Sequence, residues 1–177
     1  GRTLATIAAS GHEKLLNGFK PVVEGFTPVL FGDHQAIEKA IDNKTAGIMV
    51  EPILGESGIK KIPIECLEGL RKICNKKKIL LIFDEVQTGI GITGKMWAYQ
   101  HYSIQPDIIC FAKKAQVGGI LVSKRIDEVE NNVFVESSRI NSTFFELDGL
   151  TVKTCWYSSP EYRIRSFMQR SCLAVNS

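Results

Sequence analysis

Apolar runs and amphipathic stretches alternate along this chain. Residues 27–31 form a short apolar run. Asp33 then offers an N-cap for a helix over residues 34–43, with Ile37 and Ile41 on one face. Residues 46–50 read as a buried strand, broken by Glu51-Pro52 because a proline restricts the residue before it. Gly55-Glu56-Ser57-Gly58 reads as a loop. Ile62 and Pro63 open a long helix whose apolar stripe is Cys66, Leu67, Leu70, Ile73 and Cys74, and Lys76, Lys77 and Lys78 suit its C-terminus. Residues 79–83, 108–112 and 119–123 are further buried strands, and residues 96–102 are predicted to be helical.

Continuous apolar strands between amphipathic helices predict an α/β fold with a mostly parallel sheet flanked by helices. Ligands of such sheets gather at the carboxyl ends of the strands. Glu51, Asp84 and Lys113 each follow directly on a strand end. The segment after residue 143 is different. It has little periodicity, is not assigned to the sheet, and offers at most a short helix over residues 164–168.

With 177 residues the chain can bury a real core. A net charge of +3 gives no argument for nucleic acid or a membrane surface as partner. No apolar stretch approaches the roughly 20 residues needed to span a bilayer. The 5 cysteines are odd in number and form no C-x-x-C pair, and the 3 histidines are scattered. No metal site or disulfide framework is expected, and a cytoplasmic location fits this cysteine usage best.

Three readings of the middle of the chain compete with a strand-end site. Gly89-x-Gly91-x-x-Gly94 has dinucleotide-fingerprint spacing, but residues 84–88 intervene between strand and glycines, placing acid where a pyrophosphate needs amides. Gly89 to Lys95 also imitates a phosphate-binding loop, but the next residue, Met96, has no hydroxyl for magnesium. A nucleotide-binding module is therefore the rival function. The plainest reading is that Asp84-Glu85 only caps a strand, and an inactive remnant is the corresponding outcome.

An acid at one strand end and an amine at another are what a pyridinium cofactor requires. The acid holds the ring nitrogen, and the amine carries the aldehyde as a Schiff base. Several segments then appear together, in order: Gly1-Arg2-Thr3-Leu4, Val50-Glu51-Pro52-Ile53 with Gly55-Glu56, the run from Phe83 through Asp84-Glu85-Val86-Gln87-Thr88-Gly89, Pro106-Asp107-Ile108 through Lys113, and Asn141-Ser142-Thr143. On these segments, and on the spacings from Glu56 to Asp84, Asp84 to Lys113 and Lys113 to Thr143, the chain resembles the class III pyridoxal-phosphate-dependent aminotransferases. The resemblance covers residues 1–143. It implies part of the large, cofactor-binding domain of a fold-type I transferase.

The resemblance also implies roles. Lys113 would be the catalytic lysine, favoured over Lys114 by its offset from Asp107. Asp84 would hold the pyridine nitrogen, Val86 would pack on the ring face, and Gln87 would hydrogen-bond the ring hydroxyl. Thr143 would reach the cofactor phosphate from the partner subunit, which implies a homodimer. Arg2 would grip a substrate carboxylate, a task suited to a guanidinium, and Glu56 would tune which carboxylate is accepted. The implied reaction moves an ω-amino group from a basic amino acid of the N-acetylornithine or ornithine type to 2-oxoglutarate.

The chain departs from the family pattern in two ways. The upstream phosphate loop and the C-terminal small domain are not among its residues, so a fragment is expected, inactive by itself. After Thr143 the resemblance stops at once, which points to a frame shift or misjoined sequence over residues 144–177. That expectation fails if those residues are a native, ordered part of a working enzyme. Secondly, residues 1–83 look like acetylornithine aminotransferases, whereas Thr93-Gly94-Lys95-Met96-Trp97-Ala98 and the residues after Lys113 look like L-lysine 6-aminotransferases. Lysine is therefore the alternative donor.

Overall fold

A computed structural model describes residues 3–56, 58–127 and 162–165. Its elements are helices α1 (Leu4–Ser10), α2 (Glu13–Leu16), α3 (His34–Ala40), α4 (Ile64–Lys77) and α5 (Lys124–Asp127), and strands β1 (Gly47–Val50), β2 (Ile53–Leu54), β3 (Lys60–Lys61), β4 (Leu80–Asp84), β5 (Ile108–Phe111), β6 (Gly119–Ser123) and β7 (Tyr162–Arg165). The class is α/β. Strand order in the main sheet is β1-β4-β5-β6-β7, and β2 and β3 form a separate antiparallel pair. Among the described residues the chain divides into two compact units inside β4, one ending at residue 81 and the other beginning at residue 82.

In the first unit α4 is built as its pattern predicts. Cys66, Leu67, Leu70, Ile73 and Cys74 are all buried. Five apolar positions on one stripe supply the burial that a 14-residue helix needs for stability. Pro63 is its N-cap residue, and Lys78 ends it in the left-handed region at φ 59°. Asp33 caps α3 by accepting the Ala36 N–H at 2.9 Å. That helix stops at Ala40 because Ile41 is already extended. Residues 27–31 form no strand. Pro28 interrupts them and can give no ladder hydrogen bond.

In the second unit β4 and β5 are parallel, with Asp84 opposite Cys110. The Glu85 N–H continues the ladder to the Cys110 carbonyl at 2.9 Å. β6 runs antiparallel to β5, Phe111 opposite Gly119. The short connection between them cannot hold the dozen or more residues of a parallel crossover. The core of this unit includes Phe83, Ile109 and Val122, each 0% exposed.

Two expectations are corrected here. Tyr162–Arg165 is a strand, paired antiparallel with β6, rather than part of a helix outside the sheet. Its Tyr-Arg-Ile-Arg sequence has the period of a strand. The proposed discontinuity near residue 144 lies outside the described residues. Residues 96–102 supply only a short 3-10 turn, Ala98–His101.

Candidate functional site

β4 delivers Asp84 at its carboxyl end because residues 80–83 are apolar and buried or half-buried, while the aspartate is the first residue able to use solvent. The carboxylate is half-buried, and its Oδ1 accepts the Val86 N–H at 3.0 Å. Burial pushes its pKa above the usual carboxylate value. The Val86 hydrogen bond and the positive charge of Lys113 oppose that rise. Asp84 therefore stands in a place where an unneutralised charge is costly and a cationic partner would be stabilising.

Lys113 follows β5, the parallel neighbour of β4. It opens the short 3-10 turn Lys113–Ala115, and its carbonyl accepts the Gln116 side-chain amide at 2.8 Å. Lys113 and Lys114 are both exposed. Of the two, Lys113 is the one whose charge acts on Asp84. Val86 and Gln87, both half-buried, lie on the turn that leaves Asp84. One unit thus holds Asp84, Val86, Gln87 and Lys113. Glu56 belongs to the other unit, exposed on the loop between β2 and β3. Arg2 and Thr143 lie outside the described residues.

A pyridoxal-type cofactor offers a basic ring nitrogen and an aldehyde. The donor set fits it: a half-buried carboxylate whose ionisation is disfavoured, and a nearby primary amine at the end of the adjacent parallel strand. The set does not resemble a metal site. Among the described residues no group of three or more His, Cys, Asp or Glu side chains comes together.

The nucleotide reading loses its physical basis. Ile90 and Gly91 both donate their N–H groups to the Met96 carbonyl, at 2.7 and 3.3 Å, and Gly94 N–H goes to the Gly91 carbonyl. Lys95 Nζ donates to the Gln100 carbonyl at 2.8 Å. The glycine amides and the ammonium that would cradle a phosphate are already engaged, and no α-helix begins after them.

Glu85 is the residue that sequence reasoning undervalued. It is 1% exposed. Its Oε2 accepts the Ala98 N–H at 2.6 Å and the Thr88 hydroxyl at 3.1 Å, and its Oε1 accepts the Tyr99 N–H at 2.9 Å. Burial raises its pKa, these three donors lower it, and the Asp84 charge raises it further. In the sequence it is only a second acid, one residue past the strand end at Asp84, and nothing local marks it for burial.

A sequence profile described as aminotransferase class III matches residues 1–146. The acetylornithine aminotransferase of Brucella melitensis is 54% identical over 113 residues, covering 64% of this chain and 28% of that protein. The chain therefore spans a little over a quarter of the length of that curated relative. A solved structure of lysine aminotransferase from M. tuberculosis, in the internal aldimine form, superposes with a TM-score of 0.65 at 33% identity, covering 81% of this chain and 37% of that one. Ornithine aminotransferase from Toxoplasma gondii superposes with a TM-score of 0.61 at 35% identity, covering 68% of this chain and 29% of that one.

Proposed function

The chain belongs to the class III aminotransferases, a family that uses pyridoxal phosphate, and on that premise we propose that the protein containing it moves an ω-amino group from a basic amino acid to 2-oxoglutarate. N-acetylornithine or ornithine is the proposed donor, with lysine as the second reading. The observation that carries the proposal is the placement of Asp84 and Lys113 at the carboxyl ends of the adjacent parallel strands β4 and β5. The 54% identity to an acetylornithine aminotransferase supports the first donor, and the superposition on a lysine aminotransferase supports the second.

When bound, the cofactor supplies an electron sink for the carbon that loses its proton. Asp84 would hold the ring nitrogen protonated, and its own burial makes a cation there worth more than in water. Val86 would pack on the ring and Gln87 would hydrogen-bond the ring hydroxyl. Lys113 would hold the cofactor through its aldehyde carbon, and as a free amine its Nζ would carry a proton as general base and then acid. Arg2 holds a substrate carboxylate and Glu56 selects among carboxylates. Thr143 acts on the cofactor phosphate across a homodimer, in a cytoplasmic enzyme. Among the described residues no helix is long and apolar enough to cross a membrane.

The test is a donor panel on the full-length protein with pyridoxal phosphate. Glutamate should form from 2-oxoglutarate with N-acetylornithine or ornithine, at a higher kcat/KM than with lysine. A preference for lysine would select the second reading. No glutamate from any of the three, with the cofactor demonstrably bound, would defeat the proposal.

A further inference from the structure

Glu85 has no part in the chemistry above, yet it is among the most deeply buried acids described. Its two oxygens take the Ala98 and Tyr99 N–H groups, the start of the turn that follows Trp97. The carboxylate thereby fixes where the chain stands just beyond Trp97. That indole packs on Gly89 so closely that an added Cβ would sit 2.6 Å from its Cζ3. It also meets the Phe111 ring, with centroids 5.8 Å apart and planes tilted by 55°. Phe111 is the last residue of β5, and its ring in turn fills the space over Gly119. A continuous chain of contacts therefore runs from Asp84-Glu85, through the Ala98 and Tyr99 backbone, to Trp97, Phe111 and the turn that presents Lys113.

We propose that Glu85 is a positioning residue: by holding the Ala98 and Tyr99 amides it seats Trp97 on Phe111, and so sets the separation between Asp84 and Lys113. This rests on the roles proposed above for those two residues. A carboxylate suits the task because it accepts all three donors. A glutamine would turn an NH2 toward one of them. Trp97 suits it because a large rigid ring transmits a displacement that flexible aliphatic side chains would absorb.

The experiment uses the full-length protein loaded with pyridoxal phosphate, and compares Glu85→Gln, Trp97→Ala and Trp97→Phe. In Glu85→Gln, amide hydrogen exchange at whichever of Ala98 and Tyr99 faces the new NH2 should rise by roughly tenfold or more, since that hydrogen bond is lost. The pH midpoint of the bound pyridoxal's visible absorbance should move by about half a unit or more, because it reports the field of Asp84 at the lysine nitrogen. The value of kcat should fall roughly 10- to 100-fold while KM changes by less than about threefold, as expected for misplaced reacting groups. Trp97→Ala should reproduce the midpoint shift and the kcat loss, and Trp97→Phe should recover most of both. A wild-type midpoint and kcat in Trp97→Ala overturns the proposal, and so do wild-type values in a folded Glu85→Gln whose exchange is raised. If Glu85→Gln does not fold, the two Trp97 variants decide. Borohydride attachment of the cofactor to a lysine other than Lys113 defeats the Lys113 assignment, and the positioning role with it. Attachment at Lys113 with an unmoved midpoint defeats the positioning role alone.

Discussion

Asp84 and Cys110 face each other across the parallel β4–β5 ladder, so the chain that leaves Cys110 reaches Lys113 just beyond the level of the acid. The sheet register brings the two strand ends side by side, and the contact of Trp97 with Phe111 acts on the turn beyond them. A register is hard to shift when both strands are buried, because a one-residue slip would turn every apolar side chain to the wrong face.

Lys113→Ala in the full-length protein should abolish borohydride attachment of pyridoxal and lower transamination by roughly 10²- to 10⁴-fold or more, the range for a lost general acid–base group. Lys114→Ala should leave attachment intact. Mass spectrometry of the reduced, digested protein reads the outcome. A label that survives in Lys113→Ala would rule out this lysine.

The raised pKa values of Asp84 and Glu85 predict a pH dependence in the cofactor-free protein. Their ordinary values are 3.8 and 4.5. Below those values both states hold the protons and no penalty arises. As pH rises through the interval up to the folded-state values, the folded state keeps protons that the unfolded chain has lost, so stability falls with pH. Asp84→Asn should therefore melt higher than the parent near neutral pH without cofactor, and bind the cofactor more weakly. Thermal melts across this pH range, with and without pyridoxal phosphate, check both signs. An Asp84→Asn protein that melts lower when cofactor-free would contradict the burial argument.

Gly89→Ala should destabilise by about 1–3 kcal/mol, the usual cost of overpacking. Its Cβ would lie 2.6 Å from the Trp97 ring and 2.8 Å from the Glu85 carbonyl oxygen, and the second of these is backbone that cannot swing aside. Denaturant unfolding measures the change. A neutral result would mean that the Trp97 ring is not held in place.

Asp33→Ala removes the cap on the Ala36 N–H and should cost about 0.5–2 kcal/mol, with Asp33→Asn or Asp33→Ser retaining most of it. Equal losses in all three variants would show that charge or packing, and not the cap, is at stake.

Much of this was legible before any coordinates. The stripe from Cys66 to Cys74, the cap at Asp33 and the strand ends at Asp84 and Lys113 are local patterns whose physical cause lies within a few residues. What escaped detection depended on distant partners. Glu85 reads as a second strand-end acid until the Ala98 and Tyr99 amides are placed against it. Residues 96–102 look helical, yet Glu85 holds the amides of Ala98 and Tyr99 and only a 3-10 turn forms there. The direction of β6 depended on the length of the connection after Lys113, which periodicity does not report. Gly89 resembles an ordinary turn glycine and Gly119 merely opens a strand, but aromatic rings lie where a Cβ would go at both.

The antiparallel β5–β6 pairing has a kinetic consequence. It closes a short loop, whereas the β4–β5 register waits for the whole excursion through residues 85–107. Loop-closure entropy favours the nearer contact, so the hairpin that carries Lys113 assembles ahead of its docking beside β4. During folding, the turn that presents the amine takes shape first, and the acid arrives later to meet it.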